Sequence, residues 1–236
     1  MILCLETATD LCSVALCNNS GVVSLRESNE SKSHATLLTV FIEEILKETG
    51  IRASALDAVA VSKGPGSYTG LRIGVSVAKG LAYSASIPVI APVTTLSMFY
   101  GLSSGRPEGF PEEKNTIFCP MLDARRMEIY YAMYDHEGNL IKDISAEIIT
   151  PDTFGNIPAG QKIVLFGEGA AKCRDVIKRE NLFYADNFRI SAAHMHKPVM
   201  QAFNNRTFED VAYFEPLYLK DFITSQPRKN ILGNQQ

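Results

Sequence analysis

The chain has no excess of basic residues, because 23 Lys and Arg stand against 26 Asp and Glu in 236 residues and the formal net charge is −3. A protein that binds nucleic acid over a broad surface needs a basic face to neutralise phosphates. The composition therefore disfavours RNA as a sole partner, although it is compatible with a local basic patch. Hydrophobic residues make up 46% of the chain, which allows one large or two small globular domains.

Long apolar runs and paired cysteines are also missing. No run approaches the roughly 20 apolar residues of a membrane-spanning helix, and the N-terminus has no basic segment followed by an apolar one. The cysteines are odd in number, form no C-x-x-C pair and lie mostly in strand-like runs, so we predict small core residues in a reducing cytoplasm rather than disulfides or zinc ligands. They are Cys4, Cys12, Cys17, Cys119 and Cys173.

Motifs for independent catalysis are scarce. His34 opens a helical pattern, but the residue four positions later is Leu38, so an H-x-x-x-H metal pair is incomplete. His194 and His196 form an H-x-H without an acidic or cysteine ligand nearby in the sequence. The chain has no G-x-S-x-G elbow, and Ser67 has no assignable base. The sequence therefore predicts no catalytic residue and no metal ligand.

The most informative stretch is 57–84, DAVAVSKGPGSYTGLRIGVSVAKGLAYS. Its first residues predict a buried strand that stops at the glycine-rich turn of residues 63–66. A helix over 69–84 follows, capped by Ser67 or Thr69 and apolar on nearly every face. The turn could hold phosphate at the helix N-terminus, but it is not a GxxxxGK[ST] loop, so this indication is weak.

Two stripes of small residues run along this predicted helix, where another backbone could approach closely. One stripe can face the sheet of the same chain. The other needs a cover, from this chain or from a partner, because an apolar helix face should not be left in water. A central crossover helix within one domain is the alternative interpretation. The stripes are Gly70, Gly74 and Ala78, and Ser76, Gly80 and Ser84.

The order of predicted elements defines the first half of the chain. Three strand-like runs in 2–27 predict a meander, and an amphipathic helix over 34–48 follows. The strand and helix of 57–84 and a fifth strand at 87–91 complete the order typical of an RNase-H-like domain. Residues 103–115 are rich in Ser, Gly, Pro and charge and predict a boundary loop.

The pattern then repeats. Glu6 and Asp123 each follow a first strand, Gly21 and Gly138 each close a turn, and both pairs are 117 positions apart. We therefore predict an α/β fold of two tandem RNase-H-like domains of the actin, Hsp70 and sugar-kinase type, the second reduced. The predicted units are an N-terminal domain over 1–102 with the partner-binding helices, a C-terminal domain over 103–223 and a polar tail over 224–236.

In a fold of this type, both first hairpins normally give a carboxylate and glycines to a nucleotide cleft. Both hairpins lack glycine here, and the second has Arg125 and Arg126 where bare backbone is needed. We favour a surface or interface role for these arginines over phosphate binding. The remaining weak candidates for cofactor binding are Thr7, Gly167 and Gly169, and a strand-to-helix turn is the favoured alternative at the two glycines.

The string GPGSYTGLRIGVSVAKGLA resembles the signature of the TsaB (YeaZ) family, bacterial partner proteins of the tRNA threonylcarbamoyladenosine transferase. The resemblance extends over nearly the whole chain. Its other landmarks are ILCLETATDLCSVAL, SHATLL, LDARRMEIYYAMY and EPLYLKDF.

The resemblance implies a non-catalytic subunit that pairs with the TsaD-type transferase and works with the TsaE-type ATPase, so that the complex modifies adenosine 37 of tRNA. TsaD is a paralogue that binds metal through an H-x-x-x-H pair, and this chain has Leu38 in place of the second histidine. A homodimer through the same helices, tRNA bound via the complex and a nucleotide at the subunit junction are further expectations, with no cofactor in the isolated chain.

The first-domain helices are expected to form the partner interface, although some of its residues could face the sheet of the same chain instead. The alternative from another class is an ATP-dependent phosphotransferase of the sugar-kinase type, which requires tight ATP–Mg binding by the isolated chain. The predicted interface residues are Leu38, Ile42, Ile45, Gly70, Arg72, Ile73, Gly74, Val77 and Ala78.

Overall fold

The computed structural model describes residues 1–30, 34–105 and 114–220, so the predicted tail over 224–236 and most of the predicted boundary loop lie outside the described residues. The first half forms a five-stranded sheet in the order β3-β2-β1-β4-β5. The central strand β1 runs antiparallel to β2 and parallel to β4. The strands are β1 (Ile2–Glu6), β2 (Cys12–Asn18), β3 (Gly21–Ser28), β4 (Ala58–Val61) and β5 (Val89–Ile90).

The second half forms a second five-stranded sheet with the same topology. Its order is β10-β9-β6-β7-β8, and its central strand β6 runs antiparallel to β7 and parallel to β9. The two sheets therefore share one strand order, which confirms two tandem RNase-H-like units. The strands are β6 (Thr116–Asp123), β7 (Glu128–Tyr134), β8 (Leu140–Ile148), β9 (Lys162–Phe166) and β10 (Leu182–Ala185).

The second unit is reduced in its helices, as predicted. Where the first unit has a 16-residue helix between its third and fourth strands, residues 151–156 form only turns, in a segment that contains two prolines and two glycines between 151 and 160. The helices are α1 (His34–Thr49), α2 (Tyr68–Ala85), α3 (Thr94–Ser104), α4 (Ala171–Val176) and α5 (His196–Asn204).

Alternating side chains of β1 point into two different cores. Leu3 and Leu5 pack under α1 and α2, whereas Ile2 and Cys4 pack against residues 192–203. This alternation is the period-two pattern of a strand that is covered on both faces. All five cysteines are buried free thiols, as predicted from their spacing.

The last helix of each half packs on the sheet of the other half. Met98 and Phe99 of α3 lie against Phe118 and Phe166 of the second sheet. Val199 of α5 lies against the first sheet, together with the 3-10 turn Ala192–Met195. The two units therefore share a middle layer of helices, while the predicted domain limits at 102 and 103 stay predictions.

A C-terminal strap, defined as residues 209–220, returns across the first half. The Glu209 amide donates to the carbonyl oxygen of Val89 at 2.9 Å, and the Leu217 amide donates to that of Lys63 at 2.7 Å. Between them, the Lys79 ammonium donates to the carbonyl oxygens of Ala212 and Phe214. The strap thus runs along one flank of α2. None of the helices in the described part of the chain is both long and apolar enough to span a membrane.

Candidate functional site

Helix α2 begins where the sequence predicts a turn and a cap. The Ser67 hydroxyl accepts a hydrogen bond from the Gly70 amide at 3.3 Å, so this serine acts as the N-cap. Gly64, in the preceding turn, has φ +114°, and a Cβ there would lie 2.7 Å from the Leu217 carbonyl oxygen of the strap. Both features fix the direction in which α2 leaves the sheet.

The first stripe of small residues on α2 packs against the same chain. A Cβ atom on Gly70 or Gly74 would come closer than 3.0 Å to atoms of Thr7, in the turn after β1. Ala78 is fully buried in the core of the first sheet. This stripe therefore allows α2 to approach its own sheet and leaves no surface for a partner.

The second stripe faces outward. Ser76, Gly80 and Ser84 are exposed, and a Cβ on Gly80 would meet no atom of the described residues within 4 Å. Tyr83, on the same side, is 85% exposed. The outer face of α2 is therefore open to solvent and consists of a strip of small residues with Tyr83 beside it.

An apolar groove adjoins the outer face, between α2 and α1. It has a volume of about 640 Å³, and Ile42, Leu46, Val77 and Leu81 are among the residues that line it. Leu46, Val77 and Leu81 are only partly buried, so the groove exposes aliphatic surface. Such a surface is typical of a site that another protein covers.

The nine predicted interface residues divide between core and surface. Arg72 is exposed, and Ile73 and Val77 are partly exposed beside the outer face. Leu46, Gly80, Leu81 and Tyr83 lie at the outer face or the groove but are not among the predicted residues. Helical spacing predicts which residues share a face, but it does not say which face meets the sheet. The six predicted residues that lie in the chain's own interior are Leu38, Ile42, Ile45, Gly70, Gly74 and Ala78.

The end of β1 contains a buried carboxyl group. Glu6 is fully buried, and its Oε1 accepts the Ala8 amide at 2.7 Å while its Oε2 accepts the Ser62 hydroxyl. Burial outweighs these hydrogen bonds and raises the pKa of Glu6 to about 7. In the second half, burial and the charges of Asp10 and Asp123 raise the pKa of Glu168.

The predicted cofactor residues are packed against protein atoms. Thr7 is buried beneath α2, and Gly167, with φ +93°, has Met98 and the Met121 carbonyl oxygen where a Cβ would stand. A Cβ on Gly169 would lie 2.8 Å from the Leu122 carbonyl oxygen. The two glycines therefore serve the turn between β9 and α4, where a side chain would clash, and their part in cofactor binding stays a prediction.

The histidines have structural partners. His34 is buried at the start of α1, where its Nε2 donates to the Leu11 carbonyl oxygen at 3.3 Å, one turn before the buried Leu38. His194 Nδ1 accepts the Ser191 amide, whereas His196 Nε2 donates to the Asn18 carbonyl oxygen. Among the described residues, no three His, Cys, Asp or Glu side chains are grouped as a metal site would require.

The chain is similar to TsaB proteins of several bacteria. It is 30% identical to the tRNA threonylcarbamoyladenosine biosynthesis protein TsaB of Escherichia coli K12, over 93% of this chain and 94% of that one. The chain belongs to the TsaB (YeaZ) family. The TsaB of Bacillus subtilis is 28% identical, with 93% of each chain covered.

Comparison with solved structures shows the same fold. The structure of YeaZ from Pseudomonas aeruginosa superposes with a TM-score of 0.75 at 24% identity, covering 92% of this chain and 99% of that one. The family model of TsaD, the tRNA N6-adenosine threonylcarbamoyltransferase, also matches residues 28–220. This TsaB-family chain is therefore built on the same plan as the transferase.

Proposed function

We propose that this chain takes part in tRNA threonylcarbamoyladenosine formation, as a non-catalytic subunit that pairs with a TsaD-type transferase and works with a TsaE-type ATPase. The observation that carries the pairing is the outer face of α2 beside the α1–α2 groove. Its small residues let a second helix approach closely, and the aliphatic groove supplies apolar area to bury.

The transferase is the preferred occupant because it shares this chain's plan. The TsaD family model matches residues 28–220, a range that includes both α1 and α2. A paralogue with an equivalent helix pair can pack against this one in a nearly two-fold arrangement, as two copies of one surface do in a symmetric dimer. A second copy of this chain would compete for the same face.

The distribution of charged side chains supports a protein interface at the groove. Glu43 and Lys47 line the edge of the groove, while its floor is aliphatic. An interface with an apolar centre and a polar rim is typical of specific protein pairs.

Gly80→Glu is the sharpest test of the pairing. Gly80 has open space beside it, and glutamate forms helices better than glycine, so we expect the variant to fold. A buried, unpaired charge should weaken binding of the transferase subunit by on the order of 30-fold or more. Calorimetry with the purified subunit and a tRNA modification assay would measure this loss.

Ala171→Glu, an exposed position on α4 in the second half, is the matched control and should pair normally. Gly74 and Ala78 are unsuitable for this test, because large residues there would disturb folding. A folded Gly80→Glu variant that pairs as tightly as the parent would contradict the proposal. ATP calorimetry on the isolated chain would test the phosphotransferase alternative, which requires tight binding.

A further inference from the structure

Two arginines project from the tip of the hairpin between β6 and β7. Arg125 and Arg126 are exposed, and neither forms an ion pair with any residue in the described parts of the chain. Nearby, Asp123 is already engaged, since its Oδ1 accepts the Arg125 amide and pairs with Lys172. Both guanidinium groups are therefore free to bind an anion from solution.

The end of the C-terminal strap extends this basic surface. Lys220 pairs with Glu128, the first residue of β7 after the turn, and its ammonium lies 5.8 Å from the centre of the Tyr130 ring. Burial raises the pKa of the Tyr130 phenol, and the positive charge of Arg125 nearby partly offsets this rise. The hairpin and the strap thus meet around one tyrosine.

Two residues earlier, the strap contacts the start of α2. The rings of Tyr218 and Tyr68 lie 4.9 Å apart, and the Arg72 guanidinium lies 4.1 Å over the Tyr68 ring. Arg72 Nε donates to the Tyr218 hydroxyl at 3.1 Å, which fixes the orientation of the side chain. Tyr218 remains 36% exposed.

These groups form one surface, which we call the cationic rim. Its four cations and Lys172 face three carboxylates, Asp123, Glu128 and Glu215. Because salt screens charges beyond about 8 Å, a bound phosphate responds to this local excess rather than to the net charge of the chain. The rim consists of Arg72, Arg125, Arg126 and Lys220 with the rings of Tyr68, Tyr130 and Tyr218.

We propose that the cationic rim binds a single-stranded segment of RNA, with phosphates at Arg125 and Arg126 and a base against the exposed part of Tyr218. Cations interleaved with aromatic rings are typical of single-strand sites, because phosphates need charge and unstacked bases need a flat apolar partner. An acidic peptide would use the arginines but not the rings. The choice of tRNA as the RNA rests on the proposed function.

The test uses Arg125→Gln with Arg126→Gln in the full chain, alone and bound to the transferase subunit. Binding of an unmodified tRNA transcript is followed by fluorescence anisotropy at several salt concentrations. Loss of two phosphate contacts to a single strand should reduce affinity on the order of 25-fold at about 0.1 M salt, and the slope of log affinity against log salt by about 1.4.

Lys178→Gln with Arg206→Gln is the matched control, since it removes two exposed cations away from the rim and should leave RNA affinity unchanged. Tyr218→Ala should weaken binding at least about fivefold, whereas Tyr218→Phe keeps the ring and should retain it. The inference is overturned if the parent does not bind the transcript, if the double variant binds like the parent, or if polyglutamate displaces the RNA from the rim as well as a single-stranded RNA does.

Pairing with the transferase, measured on the same variants, separates this inference from the proposed function. The double variant of Arg125 and Arg126 should pair normally, because the β6–β7 hairpin lies outside α1 and α2. Normal pairing with unchanged RNA affinity would overturn the rim alone, whereas a Gly80→Glu variant that still pairs would overturn the proposed interface and leave the rim standing.

Discussion

At the end of β1, the Glu6 carboxyl group sits in a fully buried site between the Ala8 amide and the Ser62 hydroxyl. Its pKa of about 7 in the folded chain, against 4.5 as the ordinary value, means that the folded state holds the proton more tightly than the unfolded state does. The free energy of unfolding therefore falls as the pH rises from about 4.5 to about 7, and the loss is complete above that range.

Glu6→Gln should remove this pH dependence. The amide oxygen still accepts from Ala8, and the amide nitrogen can donate to Ser62, so the neutral hydrogen bonds are retained. We expect the variant to exceed the parent in stability on the order of 3 kcal/mol at pH 8 and to match it near pH 4.5. Urea unfolding across this pH range measures the difference.

Glu43→Gln, on the exposed side of α1, controls for the loss of a negative charge. A Glu6→Gln advantage that is the same at pH 5 and pH 8 would show that ionisation of Glu6 is not its cause.

Single residues also show the limit of sequence interpretation. The sequence predicts that the hairpin between β6 and β7 does not bind phosphate, because arginines stand where glycine is needed. In the structure, Arg125 and Arg126 adopt the left-handed backbone conformation that glycine favours, with φ 70° and 51°. The sequence identifies the two residues but not the backbone conformation that they share. That conformation depends on the hydrogen bond from the Arg125 amide to Asp123 and on the turn between β6 and β7.

At the scale of elements, α2 offers two glycines in one helix with opposite surroundings. A Cβ on Gly74 would clash with Thr7, whereas Gly80 faces open space. Gly74→Ala should therefore destabilise the fold by about 1–3 kcal/mol through overpacking, and Gly80→Ala should stabilise it by about 0.5–1 kcal/mol through lower backbone entropy in the unfolded chain.

Thermal unfolding of the two alanine variants, each compared with the parent, measures this pair of effects. Equal shifts in the same direction would mean that the two faces of α2 have been assigned wrongly. Gly101 is not a suitable third site, because its neighbour is the ring of His194.

The sequence predicts α2 itself well, from the strand, the turn, the cap and the small-residue spacing. It predicts the outward face poorly, since both stripes consist of small residues and neither is charged. The burial of one stripe is decided by Thr7, which lies more than 60 positions earlier in the chain. Local periodicity carries no information about such a contact.

For the whole molecule, the exchange of α3 and α5 between the halves predicts cooperative unfolding. Met195 is fully buried between its own segment and the first sheet, so Met195→Ala should cost about 2–5 kcal/mol. Because α3 and α5 touch each other, for example where the Tyr100 hydroxyl donates to Gln201 at 3.4 Å, the second sheet should be destabilised as well.

Hydrogen exchange checks this by comparing amides of β1 and β6. Equal losses of protection in the two strands are expected, and Met127→Ala, at a methionine that is 43% exposed, should leave both unchanged. Loss of protection in β1 alone would mean that the halves open independently. The repeated strand order is predictable from the two matching hairpins, but the exchange of helices is not, since it places Val199 of α5 against Ile2 of β1, 197 positions earlier in the chain.

Because of that exchange, each sheet has one face that is covered by a helix from the other half. A solitary half would leave one side of its sheet bare, and two identical solitary halves could protect each other only by trading their final helices, as in a domain-swapped dimer. Joining the halves in one polypeptide makes the trade independent of protein concentration, because each borrowed helix is always tethered beside the sheet that needs it.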